Sequence, residues 1–247
     1  MRRGSRVPAA VAIAAVCLIC CVCVAVSPAR ANEDDEQRLI LFSGRDIWRN
    51  GAFAHGGLIF APGGFEQDGY LLKVLLSGGL YRYFSGGLGG ERVYGAEGTL
   101  QVLPGWRIKR GDVEIKFFFG VDYEMHRLWP DDPFNTLHGR GLGLRMAAEV
   151  WYDPTPSTMV AFDGTISSIA TNHSARAAVG WRVLDEQFYF GPEAAIFASE
   201  GYRHFRLGFH FTAMKTGNLE WVAAGGWARD SDGQSSPYVR LGMMQKY

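Results

Sequence analysis

The residues able to do chemistry in this chain are few. Six histidines (His55, His126, His138, His173, His204, His210) and four cysteines (Cys17, Cys20, Cys21, Cys23) are present. A zinc centre needs His, Cys or carboxylate ligands at short fixed spacings such as HExxH. None of the histidines has that spacing, so no metal is expected. Acyl hydrolysis needs a serine, a histidine that takes its proton and a carboxylate that orients the histidine. His173 and Ser174 are the one adjacent pair, but neighbours on a strand point to opposite faces, and no G-x-S-x-G elbow is present. The glycines of Gly139-Arg-Gly-Leu-Gly143 lack the helix that must follow a nucleotide loop, and read better as strand glycines. The sequon Asn172-His-Ser174 and the tripeptide Arg110-Gly-Asp112 are short enough to arise by chance. Neither catalysis nor a cofactor is expected.

Flat rings beside carboxylates are the remaining chemical feature. Phe118, Trp151, Tyr189 and Phe197 fall on the polar side of their segments, with Glu149 and Glu193 two or four residues away. Sugars are held by stacking on aromatic faces and by hydrogen bonds to charged groups. Trp151, Tyr189, Glu149 and Glu193 are therefore candidate glucan contacts, with plain packing inside a small barrel as the alternative.

Such residues need elements that put them on one face. Val113–Tyr123 sets Val113, Ile115, Phe117, Phe119, Val121 and Tyr123 against Glu114, Lys116, Phe118, Gly120 and Asp122. Leu142–Tyr152, Ala175–Val183 and Arg203–Ala213 alternate in the same way. Period-two alternation marks a strand with two different faces. Runs of about ten to twelve residues exceed the usual soluble strand and suit a tilted bilayer crossing. Eleven turn-rich breaks, the first at Gly44–Arg49 and the last at Asp230–Ser236, divide the chain into twelve strands, with a short Leu39–Ser43 counted first. The polar faces carry both signs, among them Glu97, Glu114, Lys116, Asp122, Arg145, Glu149, Asp163, Arg176, Arg182, Glu193 and Arg206. In a closed barrel these meet across the lumen and pair, and closure satisfies every backbone polar group away from water. The expected fold is all-β: an antiparallel up-and-down β-barrel of about twelve strands (ten to twelve) of outer-membrane type. If the last strand runs inward, the long breaks Ser85–Glu91, Trp129–Leu137 and Asp230–Ser236 are external.

Ahead of the barrel, Arg2, Arg3 and Arg6 precede the apolar run Ala9–Val26, and Ala29-Arg-Ala31 fits a small-residue cleavage site. Residues 1–31 are read as a signal peptide and 32–247 as the barrel domain. An uncleaved anchor is the alternative, because the run reaches the lower limit of a spanning helix. All four cysteines fall in the signal, so the exported protein has neither a disulfide nor a thiolate site. Removing 31 residues from 247 leaves 216, of which 31 are glycine, well above the globular norm of roughly 7%. Four arginines leave with the signal, so 25 basic against 25 acidic residues become 21 against 25. A net charge near −4 gives no footprint for nucleic acid.

Several segments, in order and spacing, resemble one family. They are Leu41-Phe-Ser-Gly-Arg-Asp46, Asp68-Gly-Tyr-Leu-Leu-Lys73, Gly79-Leu-Tyr-Arg-Tyr83, Leu103-Pro-Gly-Trp-Arg107, Gly191-Pro-Glu193 and Tyr202-Arg-His-Phe-Arg-Leu-Gly-Phe-His210. Together they resemble the BcsS family of cellulose biosynthesis proteins from alphaproteobacteria, from about Leu39 to Tyr247. The resemblance implies an exported accessory of cellulose (exopolysaccharide, biofilm) production, lodged in the outer membrane or periplasm, and supplies no catalytic residue. The expected partners are outer-membrane lipid, cellulose and other components of the cellulose synthase system. The terminal aromatic Tyr247, with Val239, Leu241 and Met243 on its face, resembles the strand that barrel assembly reads. Three rival functions stay open: a narrow outer-membrane porin, an outer-membrane hydrolase, and a periplasmic scaffold of the synthase complex.

Overall fold

The computed structural model describes residues 37–247 apart from 136, 186 and 201. The signal-peptide expectation and all four cysteines lie outside the described residues. Twelve strands follow one another: β1 (Leu39–Trp48), β2 (Gly51–Phe60), β3 (Gly69–Ser85), β4 (Glu91–Arg110), β5 (Val113–Trp129), β6 (Gly139–Thr155), β7 (Thr158–Ser167), β8 (His173–Val183), β9 (Phe188–Ser199), β10 (Tyr202–Thr216), β11 (Leu219–Asp230) and β12 (Ser235–Lys246). Each pairs antiparallel with its sequence neighbours, and β1 pairs with β12, so the sheet closes. Leu39 and Tyr247 exchange backbone hydrogen bonds of 2.9 and 2.7 Å, which fixes both termini at one end of the barrel. Closure removes the exposed edges that an open sheet of this size presents.

The first strand corrects the sequence reading. Gly44–Arg49 is not a break; β1 continues to Trp48 and the turn is only residues 49–50. Gly44 and Asp46 mimic a turn in composition, but both face the lumen, where the His55 ring covers Gly44 and Arg206 binds Asp46. At the terminal end β4–β5, β6–β7 and β10–β11 are joined by two-residue turns, whereas the far end carries loops at 86–90 and 130–138. This asymmetry is that of outer-membrane barrels, with short periplasmic turns and longer external loops. One terminal-end connection departs from it. Residues 61–68 fold inward, and Phe65 packs on Ile40, Ile59, Leu71, Leu103 and Phe118 as an apolar floor to the lumen.

The two faces separate as the alternation requires. Phe117, Phe119, Leu144, Met146, Leu207 and Phe209 are each more than half exposed on the outside, while Phe118, Asp122, Arg145, Arg206 and His210 are buried inside. So large an exposed apolar band belongs in lipid rather than water. Rings border it near the terminal end, where Tyr70 and Trp106 stand side by side on β3 and β4. Arg82, Tyr94 and Trp129 form a corresponding row at the far end.

The lumen as candidate functional site

Ion pairs fill the middle of the lumen. Arg145 on β6 contacts Asp122 at 2.7 Å and Glu124 at 3.0 Å on β5. Arg176 on β8 holds Asp163 on β7 and reaches Glu193 on β9 at 3.0 Å. These pairs join adjacent strands, which the expectation of pairing across the lumen did not specify. Three others do span intervening strands. Arg206 on β10 binds Asp46 on β1 at 2.5 Å, Arg240 on β12 binds Glu193 on β9, and Lys73 on β3 binds Glu149 on β6 at 2.6 Å. Charges removed from water need such partners, and together they cross-link the barrel wall at mid-lumen.

The proposed sugar contacts fall at different depths. Trp151 and Tyr189 do meet, edge to face with centroids 6.0 Å apart, near the terminal end. Trp151 donates its indole N–H to Asp153 at 2.9 Å, and the Arg182 guanidinium covers Tyr189 at 4.7 Å. Glu149 and Glu193 are each held by two cations: Glu149 by Lys73 and Lys116, Glu193 by Arg176 and Arg240. Phe118 belongs to the apolar floor. His173 and Ser174 point to opposite faces, His173 toward the backbone O of Thr171 and Ser174 toward Thr165. Among the described residues no cluster suited to a metal ion occurs.

A second set of rings, of which the sequence points to Phe197 alone, lies at the opposite mouth. Trp48 stacks on Phe53 (5.5 Å, 7°), Phe53 on Tyr81 (6.4 Å, 12°) and Tyr81 on Tyr83 (6.3 Å, 23°). Each of the first three leans onto a glycine of the next strand. A Cβ on Gly51 would lie 2.5 Å from the Trp48 ring, one on Gly79 2.4 Å from Phe53, and one on Gly95 2.2 Å from Tyr81. Glycine is required there by the ring, and the ring lies flat against the wall because of the glycine. The result is a tiled aromatic surface running from β1 to β4, in which the Arg206 guanidinium covers Trp48 at 4.8 Å and Phe53 and Tyr81 make up the rest. Phe197, stacked on His204 beside Trp48, continues it on the other side. Ring–glycine pairing across strands was the available signal, but with Trp48 assigned to a break its first member was out of view.

The family follows from comparison with known sequences. The family model described as cellulose biosynthesis protein BcsS matches residues 40–247. The chain belongs to the BcsS family. No curated protein matches it. Among solved structures the CymD monoaromatic hydrocarbon channel is similar at 10% identity and TM-score 0.50, covering 86% of this chain and 89% of the other. The translocator domain of autotransporter NalP from Neisseria meningitidis is similar at 11% identity and TM-score 0.49, over 97% of each chain. The likeness to CymD concerns the fold alone. The closed twelve-strand sheet and its apolar exterior make this BcsS protein an outer-membrane barrel. Its family makes it an accessory of cellulose biosynthesis associated with the synthase system.

Proposed function

We propose that this BcsS protein assists surface assembly of cellulose without catalysis, by holding glucan against the aromatic wall at its outer mouth. The tiling of Trp48, Phe53 and Tyr81 is the observation that carries the reading. The C–H bonds on a pyranose face carry partial positive charge and lie well against an aromatic face. Rings anchored on glycines keep their orientation without a ligand, so little ordering is left to binding. The ion-paired middle of the lumen supports contact at the mouth over passage of the polymer and over a general porin. The Trp151–Tyr189 pair is a second candidate contact at the periplasmic mouth, with Glu149 and Glu193 acting through the cations they fix.

The direct test is binding of cello-oligosaccharide to the folded barrel, followed by tryptophan fluorescence. Phe53→Leu with Tyr81→Leu should weaken it about tenfold, equivalent to ~1.4 kcal/mol, and unchanged binding in a folded variant overturns the outer-mouth reading.

A further inference from the structure

The outer rim shows a charge asymmetry that the cellulose role does not use. Outward strand positions toward the far end carry Arg82, Arg92, Arg127, Arg140, Arg203 and Arg229, and no Asp or Glu. Among the described residues none of the six has a carboxylate partner. At the terminal end the pattern is the reverse, for Arg110 is matched by Asp68 at 2.6 Å and Lys109 by Glu66 at 3.1 Å.

Two of the six open onto a formed pocket. A cavity of about 100 Å³ is lined by Arg49, Asn50, Arg82, Tyr83, Phe84, Arg92 and Gln234, with no acidic residue. Both strand arginines are held in place: Arg82 donates to the Arg49 backbone O at 2.9 Å and to Asn50 at 3.3 Å. Arg92 lies over the Phe84 ring at 5.1 Å. Immediately below, Leu80 and Leu76 belong to the apolar band. Three arginines around a small cavity, set where hydrocarbon gives way to headgroups, suit a tetrahedral dianion.

We propose that the Arg49–Arg82–Arg92 pocket binds the phosphate of an outer-leaflet lipid headgroup, and that Arg127, Arg140, Arg203 and Arg229 extend this cationic rim around the barrel. Charge complementarity and the apolar band beneath the pocket favour a lipid-borne phosphate over a soluble one. The rim then fixes the depth and tilt of the barrel, and so the position of its outer mouth above the membrane surface.

The test uses the full-length barrel refolded in phosphatidylcholine nanodiscs doped with either bisphosphorylated lipid A or the same lipid after dephosphorylation. Lipid retained through purification is counted by native mass spectrometry. The wild type should retain the phosphorylated form, and Arg82→Gln with Arg92→Gln should reduce that retention about thirtyfold, equivalent to ~2 kcal/mol for the loss of two basic residues near an anionic surface. Arg110→Gln, at the other end, should change nothing. Retention in the wild type should also fall as salt rises, a readout that needs no variant to fold. Equal retention of the dephosphorylated lipid, full retention by the double variant, or indifference to salt each overturns the proposal. Displacement of the lipid by an equal concentration of inorganic phosphate removes the lipid as the source of the anion. Loss of cello-oligosaccharide binding leaves this result unaffected, so the two readings fail separately.

Discussion

The Arg145 guanidinium lies 2.7 Å from Asp122 inside the barrel, with 8% and 0% of the two side chains exposed. It also contacts Glu124 at 3.0 Å, and the Asp122 carboxylate accepts from Ser167 at 2.7 Å. One cation therefore serves two buried carboxylates. Arg145→Met strands both, and should cost about 3–5 kcal/mol. Asp122→Asn leaves Arg145 with Glu124 and should cost distinctly less. Urea unfolding from lipid vesicles measures the order, and equal losses would show that the two carboxylates do not depend on the shared cation.

Much of this architecture is legible from sequence because the two faces of each strand differ so sharply. Val113–Tyr123 shows why: Phe117, Phe119 and Val121 meet lipid, Phe118 and Asp122 meet the interior. Where the lumen face is small or charged near a strand end, the signal fails. Gly44 and Asp46 resemble turn residues, and only the His55 ring and Arg206 reveal that they are strand. The tiled wall was hidden for the same reason, since its glycines and rings lie on different strands and their pairing exists only in register. The inward fold of Phe65 is likewise invisible, because a loop sequence does not state what lies beneath it.

Depth in the bilayer gives a second prediction. Phe209 and Phe205 are both outward on β10, at 55% and 50% exposure, but Phe205 stands level with Arg229 near the outer rim. Phe209→Arg should cost about 2–4 kcal/mol, and Phe205→Arg about 0–1 kcal/mol, because a cation is costly only toward the midplane. Reversible unfolding in vesicles compares them. A penalty at Phe205 as large as that at Phe209 would mean that the apolar band is misplaced.

The aromatic wall predicts opposite signs for two glycines of one strand. A Cβ on Gly95 would sit 2.2 Å from Tyr81 Cζ, whereas one on Gly98 meets only the flexible end of Met125 at 3.9 Å. Gly95→Ala displaces the ring and should destabilise by about 1–3 kcal/mol. Gly98→Ala should be neutral or stabilise by up to roughly 1 kcal/mol through the unfolded chain. Unfolding midpoints read both, and a tolerated Gly95→Ala would mean that Tyr81 does not depend on its glycine.

Acid should loosen both ends of the barrel before its strands. The Lys109 backbone N–H, donating at 2.7 Å, and then Arg110 hold the Asp68 carboxyl below its ordinary range. Burial pushes Asp132 upward, but hydrogen bonds from Ser85, Tyr83 and the Phe134 N–H outweigh it, and its carboxyl too is depressed. A carboxyl depressed in the folded state contributes stability that is complete above its unfolded value and is lost as pH falls through the folded one. Between pH 7 and about 5 no change is expected, and near pH 3 amide exchange at Lys109 and Phe134 should accelerate ahead of the strand interiors. Asp132→Asn should give the fast Phe134 exchange at neutral pH. Exchange that stays slow at both amides in acid would deny these carboxylates their anchoring role.

The two ring sets make competing predictions for cellulose in the cell. Phe53 and Tyr81 lie flat on Gly79 and Gly95 and are only partly buried, whereas Tyr189 is 5% exposed and covered by Arg182. A sugar reaches a flat uncovered ring at less cost than one already occupied by a guanidinium, since binding to the latter must first displace the cation. Phe53→Leu with Tyr81→Leu should therefore lower surface cellulose with the amount of folded barrel unchanged. Trp151→Ala with Tyr189→Ala should lower it less, and through stability, because it opens the packing against Met159. The measurement is digestible glucan per cell, normalised to heat-modifiable barrel on a gel. A larger normalised loss from the Trp151–Tyr189 pair would move the glucan contact to the periplasmic mouth. Normal cellulose in both double variants, with a deficit only on deletion of the gene, would leave the rings as packing and assign the barrel a scaffolding role.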